Sequence, residues 1–223
     1  PMLENRGFKV IGEVPFEASL AAEKGHPART VWLHDFDMRA ADIDRVDIVT
    51  TRAAFQEAFA RVWNGEAEND GFNRLVVAAG LSWRDVVVLR AYAKYLRQAT
   101  FTFSQASIEA ALAAHPDIAR TLIRLFHARF DPHGAGGDAV VFRQRIVDAL
   151  EQVSSPDEDR ILRRFLNLID CTLRTNFYQK DAEGQPKGYL SFKIDSRNVE
   201  GLPLPRPMVE VRVYSPRVEA IHL

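Results

Sequence analysis

Four groups of residues have types and spacings that could do chemistry. The first, Gly134-Ala135-Gly136-Gly137, has the glycine density of a loop that cradles phosphate through its backbone N–H groups. Such a loop follows a strand and opens a helix, with a lysine or hydroxyl close behind. Here the preceding stretch has helical periodicity and Asp138 stands where the cation or hydroxyl belongs, so the segment reads as a helix–helix connection. The second group, His34-Asp35-Phe36-Asp37, brings an imidazole and two carboxylates together. On an extended strand His34 and Phe36 share one face and Asp35 and Asp37 the other, so a shared metal would require a turn. His26, His115, His127, His133 and His222 are scattered and read as loop or ordinary polar positions. The third is Cys171, on a helical pattern with no adjacent histidine, which reads as a small buried residue rather than a nucleophile. The fourth is basic: Arg160, Arg163 and Arg164, together with Arg90, Lys94 and Arg97. With Asp157, Glu158 and Asp159 alongside, these read as solvated helix faces rather than an RNA surface. No Gly-x-Ser-x-Gly, His-Glu-x-x-His or Gly-x-Gly-x-x-Gly occurs. The expected catalytic, cofactor-binding and metal-binding residues are therefore none.

The 223 residues exceed one average domain and fall short of two. Hydrophobic residues at 47% can supply a core, and 29 basic against 30 acidic side chains leave no global field to draw in nucleic acid or an anionic membrane. A lone cysteine excludes an internal disulfide and fits a reducing cytoplasm. No apolar run approaches the roughly 20 residues a membrane span needs, and the first residues lack a signal-peptide pattern. Position 1 is proline rather than methionine, and a strand pattern runs to Leu223 without a polar tail. The chain is therefore expected to be a piece of a longer one, cut at both ends.

The elements that must carry these residues follow from periodicity. Pro1 to Arg6 reads as the tail of a helix stopped by Gly7. Phe8–Val14 and Thr30–Phe36 read as strands, the second set off by Gly25-His26-Pro27. Two strands cannot close a core alone, so this end must lean on the next segment or on something missing. From about Thr50 to Tyr178 the pattern is helical, with Asn64-Gly65 as a stop, a capping box at Ser82 and Asp85, helices at Ser104–Ala114, Pro116–Phe130 and Val140–Val153, and a last start at Ser155-Pro156. Ile161, Leu162, Phe165, Ile169 and Leu173 form the expected buried face of that last helix. About five or six helices in a bundle result. Asp181–Gly188 is turn-rich, as in a hairpin loop. Tyr189–Ile194, Met208–Tyr214 and Arg217–Leu223 read as strands, with Pro203, Pro205 and Pro207 forbidding a helix between them. The fold class is α+β, mostly α, a central helical bundle flanked by short β elements at both ends.

Three blocks resemble one family. Phe72-Asn73-Arg74-Leu75, Ala79 to Arg84 and Leu89 to Gln98 are similar to the helical region of the large bacterial NAD-specific glutamate dehydrogenases, as is Asn167 to Gln179. Ser191 to Asp195, Leu202 to Met208 and Val213 to Glu219 resemble that family's entry into its dehydrogenase core. The resemblance implies three stretches: 1–45, the end of an ACT-like regulatory module; 46–179, a helical domain; and 180–223, the β-rich start of the core. It implies a parent enzyme that uses NAD to deaminate L-glutamate, with the substrate lysines and nucleotide fingerprint beyond the position of Leu223. It implies as partners the rest of the same polypeptide, a homo-oligomeric assembly and a small-molecule effector, with no nucleic acid and no membrane. The competing expectation is a free-standing module for sensing small ligands such as amino acids, built on the strands around Val31–Asp37, or for protein interaction.

Overall fold

Gly7 takes φ +82°, a left-handed backbone that costs a residue without a Cβ little. It closes a 3-10 turn at Glu4–Arg6, where the spacing predicts a helix tail, and hands the chain to a long strand. The structure, a computed structural model, describes residues 2–22, 27–40, 48–99 and 101–223. Gly25 and His26 of the expected turn, and the expected boundary after position 45, lie outside the described residues. Strand β1 (Phe8–Leu20) pairs antiparallel with β2 (Arg29–Ala40), from Phe8 opposite Ala40 to Leu20 opposite Arg29, with one irregularity between Val10 and Gly12. Both strands outrun the apolar runs that announce them, because the pairing continues through polar positions.

This ribbon is held at its root. Helix α1 (Ile48–Trp63) sets Phe55 edge-on to Phe8 at 5.4 Å between ring centres. Arg6 is wholly buried, donates to the carbonyls of Met2 and Ala58, and lies over the rings of Phe55 and Phe59. The sequence expectation that this end leans on its successor is met by α1.

The bundle continues through one turn, α2 (Leu75–Ala78), then α3 (Trp83–Gln98), α4 (Gln105–Ala114), α5 (Pro116–Phe130), α6 (Ala139–Leu150) and α7 (Pro156–Cys171). Its helix starts are written in local chemistry. Ser82 Oγ accepts from Asp85 N at 3.1 Å while Asp85 Oδ2 accepts from Ser82 N at 3.2 Å, a complete capping box. Ser104 and Ser155 cap α4 and α7, and Asp138 caps α6 through the backbone N–H groups of Val140 and Val141. The aspartate that argues against a phosphate loop is thus a helix start.

Helix α3 is the axis of the core: Val86, Val88, Leu89, Tyr92, Tyr95 and Leu96 are all buried. Ile161, Leu162, Phe165 and Ile169 of α7 pack into the same core, as their spacing predicts. Leu173 does not. The helical pattern expected to reach Tyr178 ends at Cys171, and Thr172–Thr175 forms strand β3, leaving Leu173 48% exposed. The two β-branched threonines favour the pleat, and Thr172 Oγ1 lies between Tyr92 of α3 and the Leu168 carbonyl of α7.

Strand β3 begins a four-stranded antiparallel sheet with β4 (Leu190–Ile194), β5 (Glu210–Tyr214) and β6 (Glu219–His222), in that order. On β4 and β5 alternate residues are buried: Leu190, Phe192 and Ile194, then Glu210, Arg212 and Tyr214. That face lies on α3 and α5, with Phe192 stacked on Tyr92 at 4.4 Å and 9° and edge-on to Phe126 at 6.1 Å. The fold is α+β and mostly α, with small antiparallel sheets at both ends. Among the described residues, no helix is long and apolar enough to cross a membrane.

Because the capping box starts the central helix, Ser82→Ala is expected to lower unfolding free energy by about 0.5–2 kcal/mol. Urea denaturation followed by circular dichroism measures this; an unchanged midpoint would show that the cap does not matter.

Candidate functional site at the helix–sheet junction

Polar side chains gather where α3 meets the sheet and the loop before α2. Arg90 is completely buried. Its Nε donates to Asp70 Oδ2 and one terminal nitrogen to Asp70 Oδ1, both at 2.7 Å, and the same nitrogen reaches Asn73 Oδ1 at 2.8 Å. Burial opposes the guanidinium charge, but the paired bonds and charge of Asp70 outweigh it and hold the pKa above its usual value. This corrects the expectation of a solvated face for Arg90 and, in part, for Lys94; Arg97 is exposed as expected. Arg90 sits on the buried side of α3 because Asp70 is there to receive it. Lys94, mostly buried, bridges Glu68 at 3.0 Å and Glu219 at 3.4 Å, while Arg97 bonds Gln105 near the surface.

From α3 the network crosses to the sheet through three phenols. Tyr95 donates to Glu210 Oε2 at 2.5 Å and Tyr214 to Glu68 Oε1 at 2.8 Å. Thr172 Oγ1 donates to the carbonyl of Leu168, so the 2.8 Å contact between Tyr92 and Thr172 has Tyr92 as donor. Burial pushes all three tyrosines up, so they remain neutral donors. Arg212, also fully buried, donates to Glu219 at 2.6 Å and to Gln98. Every hydroxyl and carboxylate named here is engaged by a neighbour, an arrangement suited to fixing geometry rather than moving protons.

A second chain of bonds was not legible from spacing. His127 Nε2 lies 2.8 Å from Asp85 Oδ1 and its Nδ1 lies 2.6 Å from the Tyr178 hydroxyl. Burial, helped by Asp131 and Asp85, pushes Tyr178 up to about 12, so the phenol is no activated nucleophile. The chain clamps α3, α5 and the segment after β3 together. Only the capping role of Asp85 is local enough to be read beforehand.

The residues singled out by type are dispersed. His34 contacts Glu13 Oε1 across the ribbon at 2.6 Å and stacks on Phe36, its same-face neighbour. His115 meets Glu158 at 2.8 Å, His133 and His222 are exposed, and His26 lies outside the described residues. Among the described residues no three His, Cys, Asp or Glu side chains converge as a metal set would. Arg163 pairs with Asp159 and Glu151, Arg164 with Glu200, and Arg160 lies over Phe103. In the α5–α6 connection, Gly136 presses so close to α5 that a Cβ would stand 2.4 Å from the His127 carbonyl. Its glycine is therefore a packing requirement. Cys171 is buried, and burial, with Asp170 and Asp195 nearby, pushes its thiol up to about 11.

Three family models divide the chain in order. Residues 1–51 match the glutamate dehydrogenase ACT3 domain, 67–132 its helical motif 3, and 145–223 the catalytic domain of bacterial NAD-glutamate dehydrogenase. All of the chain aligns with NAD-specific glutamate dehydrogenases from Pseudomonas aeruginosa at 47% identity, Halomonas elongata at 46% and Mycobacterium tuberculosis at 42%. The chain belongs to the bacterial NAD-specific glutamate dehydrogenase family. It spans 14% of the length of each of these relatives. In this glutamate dehydrogenase segment the helical-motif match contains Asp70, Arg90, Tyr92 and Tyr95, and the catalytic-domain match contains Thr172, Glu210, Arg212 and Tyr214. The buried network therefore joins the two matched parts side chain to side chain.

Asp70→Ala would leave a buried guanidinium unpaired and is expected to destabilise the chain by about 3–5 kcal/mol. Replacing both partners, Arg90→Met with Asp70→Leu, is expected to recover most of that loss. A double replacement as unstable as the single one would refute the pairing. Cys171 in the native chain is expected to resist iodoacetamide at about pH 8, where a buried high-pKa thiol stays protonated, and to react once urea unfolds it. Rapid stoichiometric labelling of the native chain, read by mass spectrometry, would contradict this.

Proposed function

We propose that this chain is a non-catalytic positioning and regulatory segment of an NAD-dependent glutamate dehydrogenase. The whole protein would convert L-glutamate, NAD and water to 2-oxoglutarate, ammonium and NADH, working in the cytoplasm as a homo-oligomer. The observation that carries this reading is the buried network from Asp70 and Arg90 to Glu210 and Tyr214. It couples the helical-motif part rigidly to the first sheet of the catalytic-domain part. A buried network whose hydroxyls and carboxylates are all engaged favours one relative placement of the elements that carry it. The reading includes a division into an ACT-like end at 1–45, a helical spacer at 46–179 and the entry to the dehydrogenase core at 180–223. NAD would be held outside these residues.

The role separates from catalysis in a direct assay. The 223-residue chain given L-glutamate and NAD is expected to produce no NADH absorbance and no heat on titration with NAD. The complete protein containing it is expected to turn over. Glutamate-dependent reduction of NAD by the chain alone would overturn the non-catalytic assignment.

A further inference from the structure

The end of α1, the first turn of α3, the β3–β4 connection and the β5–β6 turn converge on a cleft of about 290 Å³. Four cationic side chains line it: Arg61, Arg84, Lys187 and Arg217. Its one acidic lining residue, Glu66, is taken by Arg61 at 2.5 Å. Among the described residues Arg84, Lys187 and Arg217 have no carboxylate within ion-pair distance. Arg84 spends its two terminal nitrogens on the carbonyls of Lys187 and Phe177, at 3.1 and 3.0 Å, and is stacked 5.0 Å from the Phe177 ring. It is thereby held rigid, with its Nε free of bonds to the described residues. Burial lowers the Arg84 pKa; Asp85 opposes that and Arg61 adds to it, so two guanidiniums repel each other in a half-buried corner. Val87, Leu190 and Tyr214 supply an apolar wall. A concave, partly apolar cleft with a few convergent charges of one sign is the form of a small-ligand site, and uncompensated cations in it select an anion.

We propose that this cleft binds a small organic anion carrying carboxylate or phosphate groups on a compact body. Arg84 is the fixed donor, and Lys187 and Arg217 close over the charge from the two sheet loops. The inference does not depend on the proposed role in the dehydrogenase. The size of the cleft restricts the ligand to a small molecule, and its position makes occupancy a tie between α1, α3 and the sheet loops.

Trp83 lines the cleft and reports on it. Trp32 and Trp63 are exposed, so Trp32→Phe with Trp63→Phe leaves a single reporter in the full 223-residue chain. Titration with citrate, with AMP and with inorganic phosphate, at ionic strength matched by sodium chloride, is expected to give saturable fluorescence change with at least one. Saturation by citrate alone assigns a carboxylate ligand, and by AMP or phosphate a phosphate ligand. Lys187→Gln with Arg217→Gln, both away from the core, is expected to weaken the binding about tenfold, equivalent to about 1.4 kcal/mol. Calorimetry on the chain with all three tryptophans gives the same answer without the reporter substitutions. No saturation by any of the three anions, or affinity unchanged in the Lys187 and Arg217 variant, would overturn the proposal.

Discussion

A guanidinium cannot be taken out of water without a partner, and the placement of Arg90 follows from that constraint. Its fork meets the two oxygens of Asp70, which lies on a loop rather than a helix, so that loop is drawn against α3. Asp70 also accepts from Phe72 N and thereby starts the 3-10 turn that leads into α2. One carboxylate thus orders the loop and neutralises the buried charge. Glu68, two residues earlier, is placed to receive Lys94 and the hydroxyl of Tyr214. The position of the sheet relative to the bundle descends from this pair.

Phenols, not further ion pairs, make much of the crossing to the sheet. A tyrosine brings a large apolar ring and one hydroxyl, so it fills the core and satisfies a buried acceptor together. Tyr92 does both, stacking on Phe192 and donating to Thr172. Burial keeps such a hydroxyl protonated, which suits a permanent donor and disqualifies it as an acid or base near neutral pH. Buried charge pairs add little net stability over apolar packing, but they penalise every misplaced alternative heavily. That asymmetry favours a junction whose geometry matters more than its strength.

What could be read beforehand divides along sequence distance. The helix starts at Ser82, Ser104, Pro116 and Ser155 were legible because the cap and the N–H it satisfies lie within three or four residues. The strands at 190–194, 210–214 and 219–222 were legible from alternation and from the prolines before them. The site was not. Asp70 and Arg90 are 20 residues apart, Asp85 and His127 are 42 apart, and Tyr95 and Glu210 are 115 apart. A helical wheel alone puts Arg90 with Lys94 and Arg97, since it records which residues share a face and not what that face meets. Leu173 misled for a related reason. Its spacing continues the stripe of α7, and only the pairing of Thr172–Thr175 with β4, about 20 residues on, shows that the chain has changed period.

The two ends of the chain are attached by different physics. At the sheet, α3 is joined by buried hydrogen bonds, ion pairs and stacked rings spread over its last three turns. At the ribbon, attachment is concentrated on Arg6 and Phe8 against α1, while Val14, Phe16, Trp32 and Leu33 farther out are exposed. Helix α1 meets α3 through Glu57, which accepts from Trp83 Nε1 at 2.9 Å, and through Arg61, whose guanidinium lies 4.9 Å over the Trp83 ring. Exposed contacts of this kind cost little to rearrange, whereas each buried bond to the sheet leaves an unsatisfied group when broken. The Trp83 contacts are thus the exposed part of the α1–α3 junction, while Ala58 of α1 packs into the core that α3 shares with the sheet.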